Sequence, residues 1–280
     1  MTDDMAALGE IAAICVAAGI VAGVFSGLLG LGGGLTTVPL LNYVLPLAGV
    51  PAHIMMHAAL AAALALMIVN TSRAALVRWR GGELDLSLYR RLVWPVIVGA
   101  AIGVVAADFL HDIVLRLLFL AFVVYAFLRQ VQQMRGAAAR SSGEMQPALP
   151  VPWLAWPYGA MTGAVGSMAG SGAAMLTVPF LAHAGFSMQV AAAQSAGLSA
   201  AIGIVGSVAY VLAGLNVTGM PAWSLGYLYL PAMAGLLVGG FVGVPLGIRL
   251  AHRLSDRAIQ WTFLCFLVVV FISMLAKFLG

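Results

Sequence analysis

The sequence predicts an all-α integral membrane protein made of two inverted-topology repeats, each a glycine-interrupted helical hairpin followed by three spanning helices. Three observations predict it. Hydrophobic residues make up 63% of the 280 and charged residues 8%, with a mean hydropathy of +1.06. A soluble domain carries about 25% charged residues, so lipid must solvate most of this surface. The other two observations are a glycine-rich segment that occurs twice and arginines gathered in separate loops.

A spanning helix needs roughly 20 apolar residues, and apolar segments fall at 11–29, 35–48, 53–72, 92–110, 113–128, 153–169, 174–184, 190–212, 225–248 and 258–279. The widest polar break, 129–150, carries Arg129, Arg135, Arg140, Ser141 and Gly143 and reads as a linker. The chain therefore divides into a first membrane repeat at 1–128, a cytoplasmic linker at 129–150 and a second membrane repeat at 151–280. The start is acidic (Asp3, Asp4, Glu10) where a cleaved signal peptide would be basic, so the first apolar segment is expected to be retained. Cys15 and Cys265 both lie in apolar segments and are expected to be buried free thiols, with no metal-ligand spacing.

Duplication is legible residue by residue. Gly23 to Leu41 reads GVFSGLLGLGGGLTTVPLL and Gly163 to Leu181 reads GAVGSMAGSGAAMLTVPFL; at an offset of 140, Gly23, Gly30, Gly32, Thr37, Val38, Pro39 and Leu41 meet identical residues. At an offset of 136, Pro95, Gly99 and Gly103 match Pro231, Gly235 and Gly239, and at 144, Leu110, Asp112 and Phe119 match Leu254, Asp256 and Phe263. The order is kept over both halves.

Charge orients the copies. The segment 73–91 carries Arg73, Arg78, Arg80, Arg90 and Arg91, the linker three arginines, and 249–257 carries Arg249, Arg253 and Arg257. Cytoplasmic loops are enriched in Lys and Arg, so all three are placed inside. Segment 53–72 then runs inward while its counterpart 190–212 runs outward. The copies are inverted, both termini lie outside, and each glycine-interrupted pair of segments enters and leaves on one side.

Inverted repeats with interrupted helices are a transporter construction, with the substrate near the midplane where broken helices expose backbone groups. The breaks are Gly30, Gly32, Gly33 and Gly34 in the first copy and Gly170, Ser171 and Gly172 in the second. A helix N-terminus following such a break favours an anion, and glycine lets the backbone approach it closely. Ser26, Thr36 and Thr37, with Ser167, Ser171 and Thr177, are the candidate hydroxyl donors. His57, Gln194 and Ser195 are the polar residues of the next segments, and intramembrane polar residues face the bundle or a cavity. Asp108, His111 and Asp112 read as a solvated turn, and Pro39 and Pro179 as kinks or first-turn prolines. The expected partners are a small anion and the lipid bilayer, with no nucleic acid and no cofactor; a homo-oligomer stays open. No Walker sequence, H-E-x-x-H or paired intramembrane carboxylate is present, so no enzyme is expected. The open rivals are an anion channel and a non-transporting membrane scaffold or enzyme subunit.

At GLLGLGGGLTTVPLL, its copy GSMAGSGAAMLTVPFL and the small-residue helices after each, the sequence resembles the sulfite exporter TauE/SafE family of membrane permeases. The likeness runs through both halves. It implies a secondary transporter in a bacterial-type inner membrane, for export or sometimes uptake of sulfite or C2–C3 organosulfonates such as sulfoacetate. The family commonly has an Ala-Thr-Ser-like run in the helix after the motif; here the second copy has Gln194-Ser195 and the first His57-Ala58-Ala59.

Overall fold

The computed structural model describes residues 2–29, 34–136, 152–251 and 253–279. Gly30, Gly32 and Gly33, and residues 137–150 of the expected linker, lie outside the described residues. The helices are α1 (Thr2–Leu29), α2 (Gly34–Val44), α3 (Met55–Arg80), α4 (Leu86–Asp108), α5 (Asp112–Gly136), α6 (Pro152–Met168), α7 (Ala174–His183), α8 (Met188–Ala213), α9 (Leu230–Ala251) and α10 (Asp256–Leu279). A short antiparallel hairpin, β1 (Ser224–Leu225) and β2 (Leu228–Tyr229), precedes α9. Each expected apolar segment is carried mainly by one helix, although 225–229 form the hairpin and 45–48 a turn after α2. Among the described residues, five helical stretches are long and apolar enough to cross a bilayer: Ala52–Arg80, Leu86–Asp108, Met188–Asn216, Leu230–Leu250 and Arg257–Lys277.

α2 and α7 have 11 and 10 residues. At about 1.5 Å per residue they reach roughly half of a ~30 Å hydrocarbon core. Pro39 and Pro179 each sit inside their short helix rather than in its first turn.

α3 is the central element. Every residue from Met55 to Met67 is buried, as expected of a helix apolar on all sides. Around it, α1 packs along α9 and α4 along α6. Small residues let the backbones meet: positions Gly19, Gly23 and Gly27 face Leu236, Gly240 and Val244 in rising order, and Gly99 and Gly103 face Ala160 and Ala164. Each pair is therefore parallel. α4 starts beside Gln194, whose Nε2 donates to the Asp85 carbonyl at 2.7 Å, and ends beside His57, which bonds the Ala107 carbonyl at 3.0 Å. α9 starts next to Tyr227, whose hydroxyl donates to Asp108 at 2.8 Å. α9 and α1 thus run opposite to α4 and α6.

Three expectations are corrected. The stretch 73–91 is not a loop, because α3 continues through Arg80 and α4 begins at Leu86. Arginine favours helix, and the turn waits for Gly82, whose φ of +74° is open to glycine. Asp85 then caps α4, accepting from the Ser87 and Leu88 N–H groups at 2.8 and 3.2 Å. Cys265 is exposed, on the outward side of α10, while Cys15 is buried; both are free. Asp112 is not a solvated turn residue: its side chain is 11% exposed and pairs with Arg116 at 2.6 Å.

The outer surface is apolar, with Phe109, Val77, Val269, Phe241 and Ile102 among its exposed side chains. Trp79, Trp94, Trp156, Trp223 and Trp261 are exposed too, all but Trp223 toward the Asp85 end, as in an interfacial aromatic belt.

Candidate functional site at the helix breaks

The second break is built by two glycines. α6 ends at Met168, and Gly170 and Gly172, with φ of +61° and +71°, turn the chain back into α7. Gly172 is also a close approach, since a Cβ there would stand 2.6 Å from Ser199 Oγ and 2.8 Å from Met67 Sδ. The Ser171 N–H donates to the Gly166 carbonyl at 3.1 Å. Leu176 and Thr177 both donate to the Ala173 carbonyl, so the helix has its unpaired donors ahead of them. The Ala173 N–H is not among the free ones: Ser199 Oγ accepts it at 2.9 Å.

The start of α2 meets this break. A Cβ on Gly34 would overlap the Gly170 carbonyl oxygen, and would lie 2.5 Å from its carbon and 3.3 Å from Ser171 N. Leu60 and Ala63 of α3 and Val38 of α2 surround Gly170. The start of α2 and the turn before α7 therefore touch against the middle of the buried stretch of α3.

The expected hydroxyls divide in this setting. Ser26, Thr36 and Thr37 are buried. Ser167 faces α4, its hydroxyl bonded to the Ala100 and Ala164 carbonyls at 3.1 and 3.0 Å, which is a packing role. Ser171 and Thr177 are 2% and 1% exposed, and among the described residues neither Oγ has a partner. A buried polar atom without a partner calls for an explanation, and these two stand on the second break and the first turns of α7. Tyr158, stacked on Phe180 at 3.7 Å, donates its hydroxyl to the Leu176 carbonyl beside them.

His57 and Gln194 do not join this cluster. They sit at opposite ends of α4, whose 23 residues span roughly 30 Å. Gln194 is fully buried with its Oε1 unpaired among the described residues, and Ser195 bonds back to the Ala192 carbonyl at 3.0 Å. With Tyr89, whose hydroxyl reaches the Gly197 carbonyl at 3.5 Å, Gln194 ties α8 to the Asp85 turn. That turn is well made: the Ser87 hydroxyl and the Leu88 N–H hold the Asp85 carboxyl below the usual carboxylate range, and Arg78 pairs with Glu83 at 3.0 Å.

The other end is open. A cavity of about 660 Å³ is lined by residues that include His57, Asp108, Asp112, Tyr227 and Lys277. Asp112 receives the Met56 N–H on Oδ1 and the Arg116 guanidinium on Oδ2, both at 2.6 Å.

Sequence reasoning missed Ser199 and Tyr227. Ser199 follows Ser195 at a spacing of four, hence on one helix face, a signal that could have found it. Tyr227 lies in an unpatterned stretch and carries no such signal.

Residues 15–274 match the family model described as "Sulfite exporter TauE/SafE". The chain belongs to this family. The TauE/SafE family is one of membrane transporters, so this member is a multi-pass membrane transporter and not an enzyme. A relative from Haemophilus influenzae described as a "Probable membrane transporter protein" is 29% identical over 264 residues, which cover 94% of this chain and 98% of that protein. No solved structure matches the chain.

Proposed function

We propose that this TauE/SafE member is a secondary transporter that exports small sulfur-containing oxyanions, such as sulfite or C2–C3 organosulfonates like sulfoacetate. The anion binds where the two helix breaks meet, and the halves rock about that point in alternating access. The observation that carries the reading is the approach of Gly34 to Gly170, with the unpartnered hydroxyls of Ser171 and Thr177 beside it. Backbone donors at the start of α7 and two hydroxyls supply what an oxyanion needs. Gly30, Gly32 and Gly33 are assigned to the first half of the same site, with Ser26, Thr36 and Thr37; Gln194 and His57 flank it, one toward each face.

The inverted repeat belongs to this proposal. What supports it is that exchanging α1–α5 with α6–α10 turns the α1–α9 packing into the α6–α4 packing. The opposed directions of those pairs support the inversion. Arg249, Arg253 and Arg257 share an end with the Asp85 turn, which we assign to the cytoplasm. Ala12 and Lys277 then lie on the outer side of a bacterial-type inner membrane, where the cavity opens. With the inside negative, an anion gains about 2.3 kcal/mol per charge per 100 mV on leaving, so efflux needs no coupling ion.

The test is counterflow in liposomes holding the purified protein. Saturable sulfoacetate or sulfite flux that accelerates with substrate on the far side is expected. Non-saturable conductance would make the protein a channel, and no flux of any anion across a panel of sulfite, sulfate, sulfoacetate, isethionate and taurine would favour a scaffold.

A further inference from the structure

The cavity at the Asp108 end holds a histidine whose hydrogen-bond state can be read from its neighbours. His57 is 3% exposed and lines the cavity. Its Nε2 lies 3.0 Å from the Ala107 carbonyl oxygen. A carbonyl only accepts, so Nε2 carries the hydrogen, and in the neutral ring Nδ1 is a bare acceptor. That Nδ1 is buried and, among the described residues, has no partner. The ring is pinned as well: Tyr227 stacks on it with centroids 5.0 Å apart and an interplanar angle of 22°. The Tyr227 hydroxyl is held by Asp108 at 2.8 Å, and Tyr210, edge-on to Tyr227 at 6.2 Å, is fully buried with its own hydroxyl unpartnered among the described residues.

The charges facing His57 come from every element around it. Asp108 ends α4 and is bonded by Tyr227, whereas Asp112 on α5 is neutralised by Arg116 at 2.6 Å. His53 precedes α3 and His111 sits in the turn before α5. Lys277 of α10 enters the same cavity; its ammonium donates to the Asn42 carbonyl at 2.7 Å and lies 4.9 Å from the Tyr43 ring centroid. Among the described residues it makes no ion pair, so its charge is held only by neutral groups.

We propose that this cavity is a second, proton-linked anion site, in which a small oxyanion is held by Lys277 and by His57 Nδ1 once the ring has taken up a proton. The class of occupant rests on the anion reading above; the proton does not. Binding adds one proton from bulk water to Nδ1, turning a lone pair into a donor while Nε2 stays on the Ala107 carbonyl. No bond in the anion breaks, and the imidazolium balances its charge. An anion leaving the breaks for the outer face is then released as the histidine gives its proton up.

The experiment is calorimetric titration of the purified full-length protein with methanesulfonate, a strong-acid anion that stays ionised throughout, in two buffers of different ionisation enthalpy. The wild type is expected to take up about one proton per anion bound in the cavity, with affinity falling about tenfold per pH unit above the ring's titration. His57→Gln should abolish the proton uptake and the pH dependence. Lys277→Gln should weaken the proton-linked component at least about fivefold while the proton count stays, and it serves should His57→Gln not fold. Proton uptake that survives in His57→Gln, wild-type binding without pH dependence, no binding at any pH, or unchanged proton-linked affinity in Lys277→Gln each overturns the proposal. Failure of the breaks is distinguishable, because Ser171→Ala tests them and leaves the proton count unchanged.

Discussion

Gly34 and Gly170 stand so close that a methyl group on Gly34 would overlap the Gly170 carbonyl oxygen. One belongs to the start of α2 and the other to the turn before α7, 136 residues on. Glycine is common in membrane helices for packing alone, and the stripes between α1 and α9 and between α4 and α6 are that kind. Gly34 differs in what it touches, which is the corresponding break of the other half rather than a continuous helix.

Gly34→Ala is expected to destabilise the protein strongly. The neighbour is backbone, so the break itself must shift, and overpacking of this kind costs typically about 1–3 kcal/mol or more. Gly49→Ala is the control: its φ of +79° is strained, but nothing lies within 4 Å of the added carbon. A thermal melt in detergent should show a clearly larger drop for Gly34→Ala than for Gly49→Ala.

Asp112→Ala should cost more than Asp85→Ala. The first strips Arg116 and the Met56 N–H of a partner that is 11% exposed, and breaking such a buried pair costs about 3–5 kcal/mol. The second removes an exposed cap, worth about 0.5–2 kcal/mol. The Asp85 carboxyl is held below the usual range in the folded protein. Its contribution is therefore present above the unfolded value of about 3.9 and is lost as pH falls through the folded one. Melting curves of both variants at pH 7, and of Asp85→Ala against wild type toward pH 3, check this; the Asp85 difference should shrink at the acid end.

Topology is tested with exposed positions in a Cys265→Ala background. His111→Cys and Thr218→Cys should react with a membrane-impermeant thiol reagent added outside, whereas Arg80→Cys and Arg253→Cys should react only after the membrane is opened. The reverse pattern would invert the orientation, and a mixed pattern would break the inverted-repeat assignment.

Ser199→Ala leaves the Ala173 N–H buried without its 2.9 Å acceptor. A loss of about 1–3 kcal/mol is expected, read as a lower melting temperature.

Much of the fold was legible because lipid makes hydrophobicity nearly sufficient: each apolar segment is mainly one helix, with the hairpin at the start of 225–248 the clearest exception. The duplicated motif located both breaks, and Gly170 and Gly172 do turn the chain between α6 and α7. Helix ends were less legible, since Arg78 and Arg80 extend α3 where charge suggested a loop. The site was legible in composition but not in depth. His57 and Gln194 occupy similar places in the two copies, yet α3 and α8 run in opposite directions and carry them to opposite ends of the bundle. Asp112 and Tyr227 were out of reach because their partners, Met56 and Asp108, are distant in sequence.

The central claim is that an oxyanion is held between the meeting helix breaks, and Ser171→Ala with Thr177→Val tests it most directly. Both hydroxyls are buried and, among the described residues, unpartnered, so removing them breaks no bond seen there and should leave the melting temperature unchanged or slightly raised. Sulfite or sulfoacetate affinity, measured by equilibrium binding to the purified protein, should fall about tenfold in each, consistent with a lost hydrogen bond to a charged group. Wild-type affinity in both variants would contradict the account.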